Sequence, residues 1–251
     1  MIKEVRTIGN ATIYLGDSLE IMRGMPDKSI NMIFTDPPYG HNNNNGDLIH
    51  NREKALGKSK GKEAEARPIA NDGAEANEIF KNALPEFNRL LDSGCCCCCC
   101  GGGGGPDPQF ARWSLWMDEV FNFKQMVVWD KGKIGMGWHY RRSYETVLVA
   151  DKKGSKPKWF ATAKNIENII RPGDYGIKKI IPKKTDHPTP KPIELPTHFI
   201  GLHSQPGDVV FDPFMGAGST GVAAIKSGRK FVGIEIDPHW FEVACKRLEA
   251  A

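Results

Sequence analysis

The hexapeptide TDPPYG, residues 35–40, directly follows the apolar run SINMIF. An Asp at the carboxyl end of a buried strand stands over the crevice where open α/β sheets bind ligands. Pro37 and Pro38 fix the backbone in an extended turn and remove two N–H donors, which leaves main-chain carbonyls as acceptors. Tyr39 adds a flat aromatic face. Asp36, the Pro37 carbonyl and the Tyr39 ring together suit a planar group bearing an exocyclic amine. Such an amine is a poor nucleophile because its lone pair is delocalised into the ring. If Asp36 and the Pro37 carbonyl each accept one amine hydrogen, the nitrogen becomes more tetrahedral and its lone pair points at an electrophile. That is catalysis by positioning and by stabilising developing positive charge. The bland alternative is a plain Asp-Pro-Pro turn.

A second stretch, VVFDPFMGAGSTGVAA, residues 209–224, reads as a strand entering a Gly-rich turn that opens a helix. Gly216 and Gly218 permit close backbone approach to a ligand, and with Gly221 they match GxGxxG spacing. No GK[ST] follows, so this is not a Walker loop. The next strand, FVGIEID, carries Glu235 near its end. An acid about 20 residues after such glycines can bind ribose hydroxyls; the alternative is an acid capping a surface helix. The turn alone does not say which cofactor binds.

Six of the seven cysteines form one run, Cys95–Cys100, followed by five glycines. Contiguous strand residues alternate between faces, so the run cannot converge as four tetrahedral ligands, and the chain has no CxxC pair outside it. Reduced Cys behaves as a small hydrophobe. We expect a buried strand, with Gly101–Gly105 as its tight exit, and no metal.

These motifs need a scaffold. ATIYLGD, SINMIFTD, CCCCCC, QMVVWDK, SYETVLVAD, DVVFDPF and KFVGIEID read as strands. SLEIMRGM, EIFKNALPEFNRLLDSG, FARWSLWMDEVFN, PIELPTHFIGLHS, GSTGVAAIKSG and HWFEVACKRLEA read as helices. Near-continuous apolar strands alternating with helices predict an α/β fold, a doubly wound, mostly parallel Rossmann-like sheet with helices on both faces. At 251 residues, with 40% hydrophobic and 25% charged, the chain reads as one soluble domain. It shows no apolar run of membrane-spanning length and no secretory h-region, so a cytoplasmic setting is expected. Residues 41–78 are polar and aperiodic, and are expected to form a lid or DNA-contacting loop. The net charge is +4, and residues 151–184 hold ten Lys or Arg against three Asp or Glu. That local excess fits a polyanion surface or a solvated basic face.

Taken together, DPPY and DPFMGAGST resemble the S-adenosylmethionine-dependent amino methyltransferases of DNA. DPPY precedes FxGxG here, an order similar to the β-class. HPTPKP, residues 187–192, resembles the segment that wraps the methionine end of the cofactor, and LGDSLEIM, residues 15–22, the motif whose acid contacts its adenine. The resemblance implies catalysis by Asp36, Pro37, Pro38 and Tyr39. It implies cofactor contacts from Asp17, Ser18, Asp36, His187, Thr189, Lys191, Asp212, Pro213, Phe214, Gly216, Gly218, Ser219, Thr220, Glu235 and Ile236. DPPY implies the N6 amine of adenine rather than the N4 amine of cytosine, with an RNA methyltransferase as a further alternative. The base must leave the duplex and stack on Tyr39. Double-stranded DNA is the implied partner, touched by Asn42, Asn43, Asn44, Arg141, Arg142, Lys152, Lys156 and Lys158. Residues 151–186 occupy the place of the target-recognition region, and a homodimer is expected on palindromic sites. A Cys nucleophile of the cytosine-C5 type would need a Pro-Cys pair, and none is present. A non-catalytic DNA-binding regulator would not need Asp36, Tyr39 and the glycines intact.

Overall fold

The computed structural model describes residues 2–40, 69–100, 109–133, 143–156, 158–163, 165–177 and 191–251. His187, Thr189, Asn42–Asn44, Arg141, Arg142 and the glycine run lie outside the described residues.

All seven expected strands are present: β2 (Ala11–Leu15), β3 (Met32–Thr35), β4 (Cys95–Cys100), β5 (Asn122–Asp130), β6 (Tyr144–Asp151), β8 (Val209–Asp212) and β9 (Lys230–Glu235). Two strands escaped the sequence reading. β1 (Glu4–Ile8) is an edge strand, held by its antiparallel ladder to β2 rather than by burial, so its sequence shows little apolar pattern. β7 (Ile169–Ile170) is two residues long. Six helices match the expected segments: α1 (Ser18–Gly24), α2 (Ala76–Leu90), α3 (Gln109–Val120), α4 (Glu194–His203), α5 (Ser219–Lys226) and α6 (Pro238–Glu249). Ala76, Asn77 and Glu78, assigned above to the polar loop, already belong to α2.

The described strands form one nine-stranded sheet in the order β1-β2-β9-β8-β3-β4-β6-β5-β7. β2, β9, β8, β3 and β4 run parallel, and β6 is antiparallel to both its neighbours. Helices cover both faces, as expected for a buried parallel sheet. On one face Phe80, Phe87, Trp113 and Met117 of α2 and α3 pack with Cys96 and Cys98. On the other, Phe199, Val222, Phe241 and Ala244 of α4, α5 and α6 pack with Cys95, Cys97 and Cys99. Cys95–Cys99 are therefore sheet core, split between two hydrophobic layers by strand alternation. Cys95–Cys99 are buried to within 1%.

Strand direction decides what can meet what. Thr35, Asp212 and Glu235 end β3, β8 and β9 at one end of the sheet. Because β6 runs the other way, it brings its first residues, Tyr144 and Glu145, to that end. Asp151 and Lys152 fall at the opposite end, beside Cys95 and Gly94.

Candidate active site

Asp36 follows the last residue of β3, at the carboxyl end of the central strands. The hydroxyl of Tyr39 donates to Asp36 Oδ1. Lys191 Nζ donates to Asp36 Oδ2 at 2.7 Å and to the Tyr39 hydroxyl at 3.1 Å. The turn is anchored beyond Tyr39, because Asp72 Oδ1 accepts from the Tyr39 N–H at 2.7 Å and the Gly40 N–H at 2.8 Å. Asp72 is buried, so this cap is shielded from water. Trp113 stands 6.3 Å from the Tyr39 ring and stacks on Phe80 at 3.9 Å, forming an aromatic wall behind the turn.

Glu145 completes the cluster. Its Oε2 lies 3.3 Å from Lys191 Nζ, and its Oε1 accepts from Lys131 Nζ at 2.5 Å. Burial opposes ionisation of Glu145, yet Lys191 and Lys131 outweigh it and hold the carboxyl below its ordinary range. Burial likewise works against charge on Lys191, and Asp36 and Glu145 keep it above its usual value. For Tyr39, burial and then the Asp36 charge push the phenol well above normal, so it stays protonated and can donate. Two carboxylates and two ammoniums thus share one site.

Two strands away across β8, the Gly-rich turn lies against the end of β9. Gly216 (φ 49°) and Gly218 (φ 76°) occupy the left-handed region that disfavours side chains. Glu235 Oε2 accepts from the Gly216 N–H at 2.9 Å, and its Oε1 accepts from the Ile236 and Asp237 N–H groups at 2.9 and 2.8 Å. Glu235 is no surface cap; Asp237 caps α6, while Glu235 is buried at the turn. Burial raises its carboxyl to about 7, partly offset by the backbone donors.

A prediction arises from that shift. An unfolded Glu ionises above about 4.3, whereas folded Glu235 holds its proton to about 7. Between those values the folded state binds more protons, so this group's contribution to stability falls as pH rises. Glu235→Gln should flatten that fall, by a few kcal/mol across the window. Thermal unfolding of both proteins from pH 4.5 to 7.5 checks it; parallel curves would contradict it.

Several residues expected at the cofactor also make hydrogen bonds that brace the site. Asp212 is buried, and its carboxylate accepts from Thr35 Oγ1 at 2.7 Å and from the Phe214 N–H at 3.1 Å, with Thr220 also bonded to it. Burial lifts Asp212 to about 6 despite these donors. It ties β3, β8 and α5 together. Ser18 Oγ donates to the Pro213 carbonyl at 2.5 Å, joining α1 to the Gly-rich turn. Asp17 caps α1, accepting from the Glu20 N–H at 2.9 Å. Ser219 Oγ donates to the Lys191 carbonyl at 3.1 Å, which places Lys191 beside the turn. Phe214 is half-buried against the layer of α1 to α3.

The third glycine does different work. A Cβ on Gly221 would lie 2.7 Å from the Phe231 ring and 3.0 Å from Leu248. Gly221→Val should therefore cost about 1–3 kcal/mol through overpacking. Unchanged thermal unfolding would show that α5 can move off the sheet.

The three lysines expected to touch DNA lie away from this cluster. Lys152 Nζ donates to the Asn88 carbonyl at 2.8 Å and to the Leu91 carbonyl, closing the end of α2 rather than facing a ligand. Lys158 lies beside His203, at the far end of α4, and Lys156 shares that segment. All three sit at the opposite end of the sheet from Asp36. Charge counted along a chain does not reveal which end of a sheet receives it.

A Rossmann-like sheet with an acidic turn after β3 and a Gly-rich turn after β8 defines a class of group-transfer enzymes that bind a nucleoside-containing cofactor. The profile of the N6/N4 DNA methylase family matches residues 30–246, and the chain belongs to that family. It is 28% identical to the DNA adenine methyltransferase YhdJ of Escherichia coli (strain K12), over 96% of this chain and 83% of that protein. It is 29% identical to the type II methyltransferase M.HhaII of Haemophilus parahaemolyticus, over 88% of each. Among solved structures, the M1.HpyAVI–SAM complex is 27% identical with a TM-score of 0.62, covering 94% of this chain and 99% of that one. The cytosine-N4-specific PvuII DNA methyltransferase shares the fold at 22% identity and a TM-score of 0.71, covering 98% and 90%. Among the described residues no helix is long and apolar enough to cross a membrane.

Proposed function

We propose that this chain transfers a methyl group from S-adenosylmethionine to the N6 amine of an adenine flipped out of duplex DNA. The observation that carries the reading is the placement of Asp36, Tyr39 and Lys191 at the carboxyl end of β3, beside the turn after β8. The residues present fit the cofactor. Gly216 has a left-handed backbone conformation that disfavours a side chain, and Glu235 sets a buried carboxyl against it, an acceptor suited to ribose hydroxyls. S-adenosylmethionine, when bound, supplies an electrophilic methyl group on a sulfonium sulfur.

The chain's own residues prepare the amine. Asp36 accepts one amine hydrogen and the Pro37 carbonyl the other. Tyr39 offers its ring to the base, with Trp113 behind it. On accepting a methyl group the nitrogen would have to give up one proton. Asp36 is the carboxylate placed to ease its departure. Lys191 stands where the amine must arrive, so binding the base requires it to share Asp36 or to shift toward Glu145.

Adenine is favoured over cytosine because the curated relatives include a named adenine enzyme and because Asp begins the DPPY turn. DNA approaches from the end of the sheet where Asp36 lies. Gly40, Lys133 and Ser143, which flank residues 41–68 and 134–142, belong to that end. In this reading Lys152, Lys156 and Lys158, at the opposite end, do not touch the DNA, and Asn42–Asn44, Arg141 and Arg142, outside the described residues, are its proposed contacts.

The test is transfer of labelled methyl from S-adenosylmethionine to unmethylated genomic DNA, followed by mapping of the modified bases. Label in N6-methyladenine at one short motif is expected. Label in N4-methylcytosine would overturn the choice of base, and label confined to RNA would overturn the choice of substrate.

A further inference from the structure

We propose that Cys95, Cys97 and His203 form a binding site for a thiophilic divalent cation of the zinc class, remote from the methyl-transfer site. The three side chains are buried, and their ligand atoms all lie within 4.8 Å of one another. Cys95 and Cys97 are two apart on β4, so both point to the same face, with their Sγ atoms 3.2 Å apart. The objection that one strand cannot surround a metal still holds for β4 alone. The third ligand comes from the last residue of α4, more than a hundred residues along the chain.

The details suit a cation. Bonds of about 2.3 Å to sulfur and 2.0–2.1 Å to nitrogen put tetrahedral ligand atoms roughly 3.5–3.8 Å apart. The two sulfurs need to open by only about half an ångström to meet that spacing. His203 Nδ1 lies 3.3 Å from the Lys158 carbonyl oxygen. A proton on Nδ1 donates there and leaves the other ring nitrogen as the neutral acceptor that ligation requires. Metal-bound histidines are commonly fixed in this way by a backbone carbonyl. Two thiolates with one divalent cation sum to zero charge. A neutral cluster is compatible with this depth of burial. Asp151, the register partner of Cys95 on β6, is buried and borders the same face.

The opposite face supplies an internal control. Cys96 and Cys98 have their Sγ atoms 3.5 Å apart, nearly the same spacing. Among the described residues no other group of three potential ligands meets the same criterion, and this pair faces Phe and Trp side chains instead. The site would clamp β4, the end of α4 and the segment around Lys158, all at the end of the sheet away from Asp36. Its role is structural, and it stands or falls independently of the methyl-transfer reading.

The experiment is a titration of the reduced, chelator-treated full chain with Co2+, followed by competition with Zn2+. Thiolate-to-cobalt charge-transfer absorption saturating at one equivalent, and removed by Zn2+, is expected. Cys95→Ser/Cys97→Ser should lose the band, Cys96→Ser/Cys98→Ser should keep it, and His203→Gln should weaken affinity by at least about tenfold. Zn2+ should raise the unfolding temperature of the unmutated chain and of Cys96→Ser/Cys98→Ser alike. No charge-transfer band in the unmutated chain would overturn the proposal. So would a band retained without Cys95 and Cys97, or one lost with Cys96 and Cys98 in a variant that still unfolds cooperatively.

Discussion

Asp36→Ala is expected to reduce methyl transfer by on the order of 10^3-fold while S-adenosylmethionine still binds. The carboxylate is the acceptor that draws an amine hydrogen out of the plane of the base, and alanine offers none. It also leaves Lys191 with Glu145 as its remaining carboxylate in the cluster, since the 2.7 Å bond to Asp36 is gone. The ammonium is then free to settle on Glu145, so the loss of rate reports the missing acceptor rather than a blocked site. Asp36→Asn separates acceptor from charge. It keeps one acceptor oxygen but loses the charge, so an intermediate rate is expected. Single-turnover transfer to duplex DNA gives the chemical step, and calorimetry gives cofactor affinity. Near-normal turnover in Asp36→Ala would refute the role. Loss of cofactor binding together with turnover would mean that Asp36 serves the cofactor rather than the amine.

The sheet was readable because its inner strands are continuous apolar runs, and both edges of the error are physical. β1 draws its stability from a backbone ladder, which leaves no side-chain signature, and β7 is too short to have one. The two turns were readable because Pro and Gly constrain backbone wherever they occur. What joins the turns was not. Asp72 precedes α2 in a polar stretch, and only the fold shows its carboxylate capping the Tyr39 turn. Glu145 looks like an ordinary polar residue opening the strand YETVLVAD. Its importance comes from β6 running antiparallel, which brings its start to the site. The same reversal sends Lys152 to the far end, where its ammonium closes a helix. Asp212 and Ser18 lie beside the turns, and their hydrogen bonds run to protein groups that shape them. A motif identifies neighbours; it does not separate a residue that contacts a ligand from one that holds the contacting residue.

Glu145→Gln should lower the rate of transfer by about 10- to 100-fold without removing DNA binding, through its effect on Lys191. Asp36, Glu145, Lys131 and Lys191 balance as two negative and two positive charges in a largely buried cluster. The buried Lys191 ammonium is shared between Asp36 at 2.7 Å and Glu145 at 3.3 Å. Glutamine removes one claim on it, so the ammonium settles on Asp36 and competes with the incoming amine for the same oxygens. The variant should also show a distinctive pH response. Glu145 helps hold Lys191 above its usual value, so without it the ammonium loses its proton at lower pH than before. Asp36 still holds the ammonium above its ordinary value, so the rate deficit should shrink only toward the alkaline limit of the assay, where a neutral amine competes less well for Asp36. Glu145→Asp, which keeps the charge on a shorter stem, should recover part of the rate. A residue needed only for packing would lower the unfolding temperature and leave the pH profile of turnover in place. A Glu145→Gln protein with that behaviour, or with unaltered kcat at every pH, would reduce Glu145 to a buried partner of Lys131.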